Sequence, residues 1–373
     1  MEKYKDMTIV KKSNVKMFRN LVLFVLLIIF TFWFIFKDQD INELITTIKN
    51  VNPKYLLFAI FLMFCVYLTE SINVRAILRA LGEKKFSIIR ALKYTAIGAF
   101  FSAITPAATG GQPVEIYYMS KDGIKVANGT MAMMLQLTGF QISTLTYSII
   151  GGILNPSVLS DGVIWFYILG LVINGFALSL MLLGTFSTKI SRKLLYFTIK
   201  MMRKVNVKNC EKKVIKMQEG LDQYTESARF IKTHKLEFCK AMLRSFIQMF
   251  FYHSIPFVIY KSCGLSELGF IELFTMQAIL YTTVSGIPLP GSIGVSESLF
   301  LKIFGVAYVP AMLSGAMLLY RFSSFYLFII IFLFVVIYCV VMTKNIRSEI
   351  DKNIIEIDGV FKDKKKRRRS YNM

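Results

Sequence analysis

Two glutamates close two runs of proline and glycine inside apolar sequence, and an arginine follows. The first run is Ile104-Thr-Pro-Ala-Ala-Thr-Gly-Gly-Gln-Pro-Val-Glu115, and the second is Gly286-Ile-Pro-Leu-Pro-Gly-Ser-Ile-Gly-Val-Ser-Glu297. Pro106 precedes Glu115 by nine residues, and Pro288 precedes Glu297 by the same nine. Arg321 lies further on, between Leu318, Leu319, Tyr320 and Phe322. Two broken apolar segments, one in each half of a chain, are the pattern of a transporter-like site built near a bilayer midplane. Ordinary loops between spanning helices are the plainer alternative.

The chemistry follows from what a break does to the backbone. Each run is followed by a helix start. Pro113 suits the first helical position, where its missing N–H would be unpaired anyway, and that places Glu115 third. Gly294 as the cap places Glu297 third in its helix. Each helix N-terminus then offers free N–H groups and partial positive charge to a phosphate or carboxylate. Gly110, Gly111, Gly291 and Gly294 let backbone approach a ligand closely. The two glutamates either cap their own helices or face a ligand. Both readings require a polar cavity, because an ionised group at this depth is costly unless wet or paired. Arg321 cannot shed its charge. It either pairs with Glu115 or Glu297 or holds a lipid phosphate. Gln136 follows the first break much as Arg321 follows the second. The candidate ligand-contacting residues are therefore Thr105, Pro106, Gly110, Gly111, Gln112, Glu115, Gln136, Pro288, Gly291, Gly294, Glu297 and Arg321. No metal, cofactor or catalytic group is expected. Only His234 and His253 are present, and the five cysteines form no CxxC pair.

The elements that must position these residues are membrane helices. The chain has 373 residues, 55% of them hydrophobic, and a mean hydropathy of +0.53, which exclude an ordinary soluble enzyme. The net charge of +22 reads first as topology, since Lys and Arg concentrate in cytoplasmic loops. Leu21–Phe36 predicts a retained first span running outward. Tyr55–Asn73 returns inward, toward Arg75, Arg79, Lys84, Lys85, Arg90 and Lys93. Tyr94–Ile104 has eleven residues, which at 1.5 Å per residue reach about 16 Å, roughly half of a ~30 Å hydrocarbon core. The break then falls near the midplane, and Val114–Ser120 turns back. Ala127–Ile150, Val163–Phe186 and Met242–Tyr260 predict further spans. Leu273–Ser285 and Val295–Phe304 predict a second hairpin entering from the opposite face. Pro310–Met342 goes in, as one tilted helix or as two pieces. Within the basic stretch 186–240, Val214, Met217, Leu221, Tyr224, Ala228 and Ile231 share one helical face. The run Lys364–Arg369 predicts a tail held on an anionic leaflet. The expected architecture is an all-α polytopic membrane protein of about six full spans plus two opposed re-entrant helical hairpins, an inverted repeat. Residues 1–342 would form the membrane domain and 343–373 a basic tail, with both termini cytoplasmic.

At these residues the chain resembles the lysylphosphatidylglycerol synthase transmembrane-region family, the flippase-like membrane domain of bacterial multiple-peptide-resistance proteins. The resemblance rests on Thr105–Glu115, on Pro288–Glu297 and on Arg321, and extends over most of residues 15–342. Gln136 departs from it, standing where the family's pattern implies an arginine, so a symmetric two-arginine phosphate site is not expected. The resemblance implies a bacterial plasma-membrane protein that moves an anionic or aminoacylated phospholipid, such as lysylphosphatidylglycerol, between leaflets and so contributes to resistance to cationic antimicrobial peptides. The family's soluble lysyl-transferring domain is not expected in the short stretch after the last span. A phosphatidylglycerol lysyltransferase, which would need a tRNA site, remains the enzymatic alternative, and without it no nucleic acid is expected. A polar-solute transporter and a non-transporting partner of a separate lipid synthase are further alternatives. Homo-oligomerisation is compatible with all of them.

Overall fold

The computed structural model describes residues 49–339 apart from 84–85, 288 and most of 187–233. The expected first span Leu21–Phe36, the amphipathic face from Val214 to Ile231, Pro288, the tail and the proposed domain boundary all lie outside the described residues.

Nine helices carry the described chain: α1 (Pro53–Ala80), α2 (Ile88–Ala103), α3 (Gly111–Lys121), α4 (Val126–Leu154), α5 (Asp161–Phe186), α6 (Lys235–Ser262), α7 (Phe270–Ser285), α8 (Val295–Ile303) and α9 (Pro310–Arg321). No strand occurs among the described residues. Local chemistry fixes several starts. Asn52 accepts the Lys54 N–H at 3.1 Å ahead of Pro53, and Ser87 accepts the Arg90 N–H at 3.3 Å ahead of α2. Pro310 opens α9 at a position that needs no N–H.

Four helical stretches are long and apolar enough to cross a membrane: Pro53–Ala80, Val126–Leu154, Gly162–Leu183 and Pro310–Cys339. They coincide with four of the six expected spans. The expected span Met242–Tyr260 lies inside α6, which has the length but carries Arg244, Gln248 and His253 in its middle. Gln248 hydrogen-bonds to Gln136 and Glu70, whereas His253 lies among the rings of Tyr147, Tyr252, Phe274 and Tyr281. Ser245 and His253 are fully buried, and Gln248 is nearly so. The exterior is apolar where a bilayer would lie. On α5, Trp165, Val172 and Phe176 are all well exposed, as is normal for side chains that face lipid.

The helix beginning at Pro310 runs on as one piece to Cys339. Immediately after Arg321 its hydrogen-bond pattern widens by a residue over Phe322–Tyr326, forming a π-bulge. Such bulges are frequent at functional sites. Here the Ser323 and Ser324 hydroxyls donate to the Tyr320 carbonyl at 3.1 and 2.7 Å, so the local rearrangement leaves it satisfied.

α1 and α6 pack side by side along much of their length, and α4 packs against α6 and α7. Two breaks sit in this frame. α2 and α3 form a helical hairpin around the turn Pro106–Ala108, and α7 and α8 are joined through the turn Pro290–Ser292. The two turns touch each other. A larger apolar core surrounds the second hairpin, with Phe300, Phe304, Ile279 and Tyr320 at its centre. A smaller one, around Leu78, Tyr94, Met131 and Leu135, supports the first.

Candidate functional site

The two turns are built alike. In the first, Thr105 is extended and is followed by Pro106, then Ala107 and Ala108 at φ +52° and +53°. In the second, Leu289 is extended and is followed by Pro290, then Gly291 and Ser292 at φ +59° and +51°. Left-handed backbone at alanine and serine costs roughly 1–3 kcal/mol per residue and marks segments that their surroundings hold in place. The same displacement in sequence relates Pro106 to Pro290, the cap Gly110 to the cap Gly294, and the start of α4 at Val126 to the start of α9 at Pro310.

This register corrects the expected one. The counterpart of Pro106 is Pro290, not Pro288. Helix α3 begins at Gly111, so Pro113 is third rather than first and Glu115 is fifth, beyond the first turn. Glu297 is third in α8, as expected. The two glutamates are therefore not structural equivalents, although both lie nine residues after a proline. Gln136 falls one place short of the position that matches Arg321.

At the second turn the expected residues converge. The Glu297 Oε2 accepts the Gly294 N–H at 2.7 Å, which caps α8. Its Oε1 accepts from Arg321 Nε at 2.7 Å and from the Tyr326 hydroxyl at 3.0 Å. Arg321 Nη2 donates to the Gly291 carbonyl at 3.2 Å, and its guanidinium lies 4.2 Å from the Phe325 ring centre, within cation–π range. Glu297 is 1% exposed and Arg321 5%, so this is a buried ion pair. Capping and pairing are both realised, each through a different oxygen. Gly294 must be glycine for its φ of +87°, and a Cβ on Gly291 would strike Phe325. Arg321 lines a cavity of about 340 Å³ together with Tyr252, Gln277, Tyr281 and Tyr320. Gln277 Nε2 donates to the Tyr320 hydroxyl at 2.6 Å, and that hydroxyl meets Tyr252 at 3.0 Å.

At the first turn the order is local. Thr105 Oγ1 donates to the Phe101 carbonyl at 2.6 Å and accepts the Gly110 N–H at 2.9 Å. Gly111 lies against α2, where a Cβ would come within 2.7 Å of the Gly98 carbonyl. Gln112, Glu115 and Gln136 line a second cavity of about 560 Å³. Its wall also holds two residues that the motif reading missed. Gln248 Nε2 donates to Glu70 Oε2 at 3.0 Å, and Gln136 Nε2 donates to Gln248 Oε1, also at 3.0 Å. Glu70 had a signal in the sequence, being the only charge in Tyr55–Asn73. Gln248 had none. The two cavities share Ala99, Ser102, Ala107, Ala108, Tyr281, Ser285 and Ile287, so the first turn forms part of the partition between them.

The chain has matches among known proteins. The family model for the lysylphosphatidylglycerol synthase TM region matches residues 21–331. The chain belongs to this family. A UPF0104 membrane protein of Archaeoglobus fulgidus is 23% identical over 323 residues, which cover 85% of this chain and 96% of that protein. Membership in a membrane-protein family agrees with the four apolar helices.

Proposed function

We propose that this family member translocates a phospholipid with an anionic or aminoacylated head group between the leaflets of a bacterial plasma membrane, and thereby contributes to resistance to cationic antimicrobial peptides. The observation that carries the proposal is the Glu297–Arg321 pair, buried where two strained turns meet and open to the 340 Å³ cavity. A guanidinium carries more donors than its bonds to Glu297 and Gly291 use, and its planar fork matches a phosphate. The α8 N-terminus is a weaker anion site than its sequence implied, because Glu297 already occupies it.

In this reading α2–α3 and α7–α8 are re-entrant hairpins from opposite faces, related as an inverted repeat. Rocking of one half against the other exposes the partition between the cavities to each leaflet in turn. The matched turns and helix starts support that arrangement. The termini are cytoplasmic, the tail rests on anionic lipid, and a separate synthase supplies the aminoacyl lipid. Homo-oligomers are compatible with the apolar face of α5.

The test is transfer of fluorescent phosphatidylglycerol and lysylphosphatidylglycerol between leaflets of liposomes that hold the purified protein. Wild type should accelerate transfer and R321Q should not. Equal rates in empty and loaded liposomes, with either lipid, would end the proposal. Formation of lysyl-lipid by the purified chain with charged tRNA would favour the enzymatic reading instead. For topology, a cysteine at Lys121 should resist an impermeant thiol reagent on intact cells and one at Asp161 should react.

A further inference from the structure

The 560 Å³ cavity beside the first turn contains two carboxyl side chains, Glu70 from α1 and Glu115 from α3. They are held differently. Glu70 ends a chain of amides. Gln248 Nε2 donates to Glu70, Gln136 Nε2 donates to Gln248 Oε1 at 3.0 Å, and Asn73 Nδ2 donates to Gln136 Oε1 at 2.6 Å. Arg244 Nη1 closes the other end on Asn73 Oδ1 at 3.5 Å. Because a carboxylate only accepts and a guanidinium only donates, the orientation of all three amides follows from the two ends. The chain is a row of aligned dipoles running from the Arg244 cation to the Glu70 carboxyl group, oriented so as to favour negative charge at Glu70.

Glu115 has no such support. It is 5% exposed and faces the cavity. No hydrogen bond or ion pair reaches its carboxyl group from the described residues. Its place is made by Gly98, where any Cβ would overlap the carboxylate. Glu297, its counterpart in motif, has an arginine, a tyrosine hydroxyl and a backbone N–H. Gln136, standing near the place that would match Arg321, is neutral and already spent on the amide chain. The cavity is left with one carboxyl group, that of Glu115, which no described protein donor meets.

We infer that this chamber binds a compact monovalent cation between Glu115 and Glu70, with Gln112 and Gln141 available as neutral oxygen ligands. The shared chemistry is a small hard cation or a primary ammonium. Either a free alkali ion or the ammonium of a lipid head group supplies it. The site stands whether or not the protein carries lipid across the bilayer.

The test uses the purified full chain in phosphatidylcholine nanodiscs, whose quaternary ammonium is too bulky to be chelated by two carboxylates. Tm is measured in choline chloride and then with NaCl, KCl or ethanolammonium chloride at constant ionic strength. A ligand that binds only the folded state raises Tm with the logarithm of its concentration. We expect at least one of the three salts to give a saturable rise that E115Q abolishes and E70Q weakens. A rise with an alkali salt assigns a free ion, and a rise with ethanolammonium alone assigns a head-group amine. If E115Q does not fold, binding of radiolabelled sodium to wild type, competed by ethanolammonium, replaces the variant. Absence of any cation-specific shift or binding, as a protonated Glu115 would give, overturns the inference. So does an equal shift in E115Q. The melts contain no lipid-transfer step, so failure of lipid transfer and failure of cation binding are read separately.

Discussion

The second hairpin is fastened at its tip and the first at its base. Between α7 and α8, the carboxylate of Glu297 ties the start of α8 to Arg321 on a neighbouring helix, and Arg321 reaches back to the turn at Gly291. Between α2 and α3, the tip is closed by neutral hydrogen bonds of its own, from Thr105, from Thr109 to the Pro106 carbonyl and from Ser102 to the Ala108 carbonyl. Its firm attachment is at the far end, where Asp122 at the end of α3 meets Lys93 and Tyr94 of α2. Two turns of nearly the same backbone shape thus differ in what holds them. A tip locked by a buried ion pair is costly to move. A tip held by neutral hydrogen bonds, with no ion pair among the described residues, moves at lower cost. In a rocking transporter the first hairpin is accordingly expected to be the mobile partner.

The largest effect should come from breaking the locked tip. Removing one member of a buried ion pair leaves the other uncompensated and costs about 3–5 kcal/mol. Arg321→Gln and Glu297→Gln should each lower the melting temperature sharply, and the double variant should recover much of the loss. Arg321→Lys keeps the charge but loses the fork, and the hydrogen bond to a charged group that goes with it is worth about 1.5–3 kcal/mol. Lipid transfer should fall in all four variants. If the double variant is no more stable than the singles, the pair does not lock this tip, and the contrast between the hairpins fails.

The first tip should respond to crowding rather than to loss of charge. A methyl at Gly98 enters the space of the Glu115 carboxylate, and such overpacking costs roughly 1–3 kcal/mol. Gly98→Ala should therefore destabilise, and adding Glu115→Ala should relieve it. Thermal melts of the single and double variants measure this directly. Lack of relief would mean that Glu115 lies elsewhere in the membrane-embedded protein.

Much of this contrast could be anticipated from sequence, and the remainder has physical reasons for being hidden. The breaks announce themselves because proline and glycine have little use inside a spanning helix. The cap at Glu297 follows from Gly294 three residues before it. The equivalence of Glu115 and Glu297 was misleading, since equal spacing from a proline does not fix where a helix starts. Backbone geometry aligns Pro106 with Pro290 and moves Glu115 half a turn beyond the capping position. Arg321 was legible as a charge that must be paired. Its choice of Glu297 over Glu115 depends on tertiary packing, as does the amide chain from Arg244 to Glu70, whose members come from three helices far apart in sequence. Single glutamines in apolar helices carry no periodic signal of their own.

The amide chain should be a medium-sized determinant. Replacing Gln248 by Leu leaves Gln136 and Glu70 each short of a partner in a buried site, at about 1–3 kcal/mol for each unsatisfied group. Thermal melts should show that loss, whereas Gln248→Glu should be worse because it places a second carboxylate against Glu70. Equal stability of the two variants would argue that Glu70 is not held as an anion.

The smallest effect belongs to the base of the first hairpin. Burial pushes the Asp122 carboxyl up, but hydrogen bonds from Lys93 and Tyr94 and the positive charge of Lys93 and Arg90 outweigh it, so its pKa lies below the ordinary 3.8. The sign of the consequence follows. A depressed carboxyl contributes stability that is fully present above the unfolded-state value and is lost as pH falls through the folded-state value. The fastening of α3 to α2 should therefore be intact at neutral pH and weaken only below about pH 4. Both side chains are about one-third exposed, at 31% each, so solvent screens the pair and the contribution should not exceed about 1 kcal/mol. Asp122→Asn should lower the melting temperature slightly at pH 7, and the difference from wild type should shrink as pH falls below about 4. Because the base rather than the tip is altered, lipid transfer at neutral pH should change less in this variant than in Arg321→Gln. If Asp122→Asn stops transfer as completely as Arg321→Gln does, the first hairpin is not free at its tip, and its base is part of the moving mechanism.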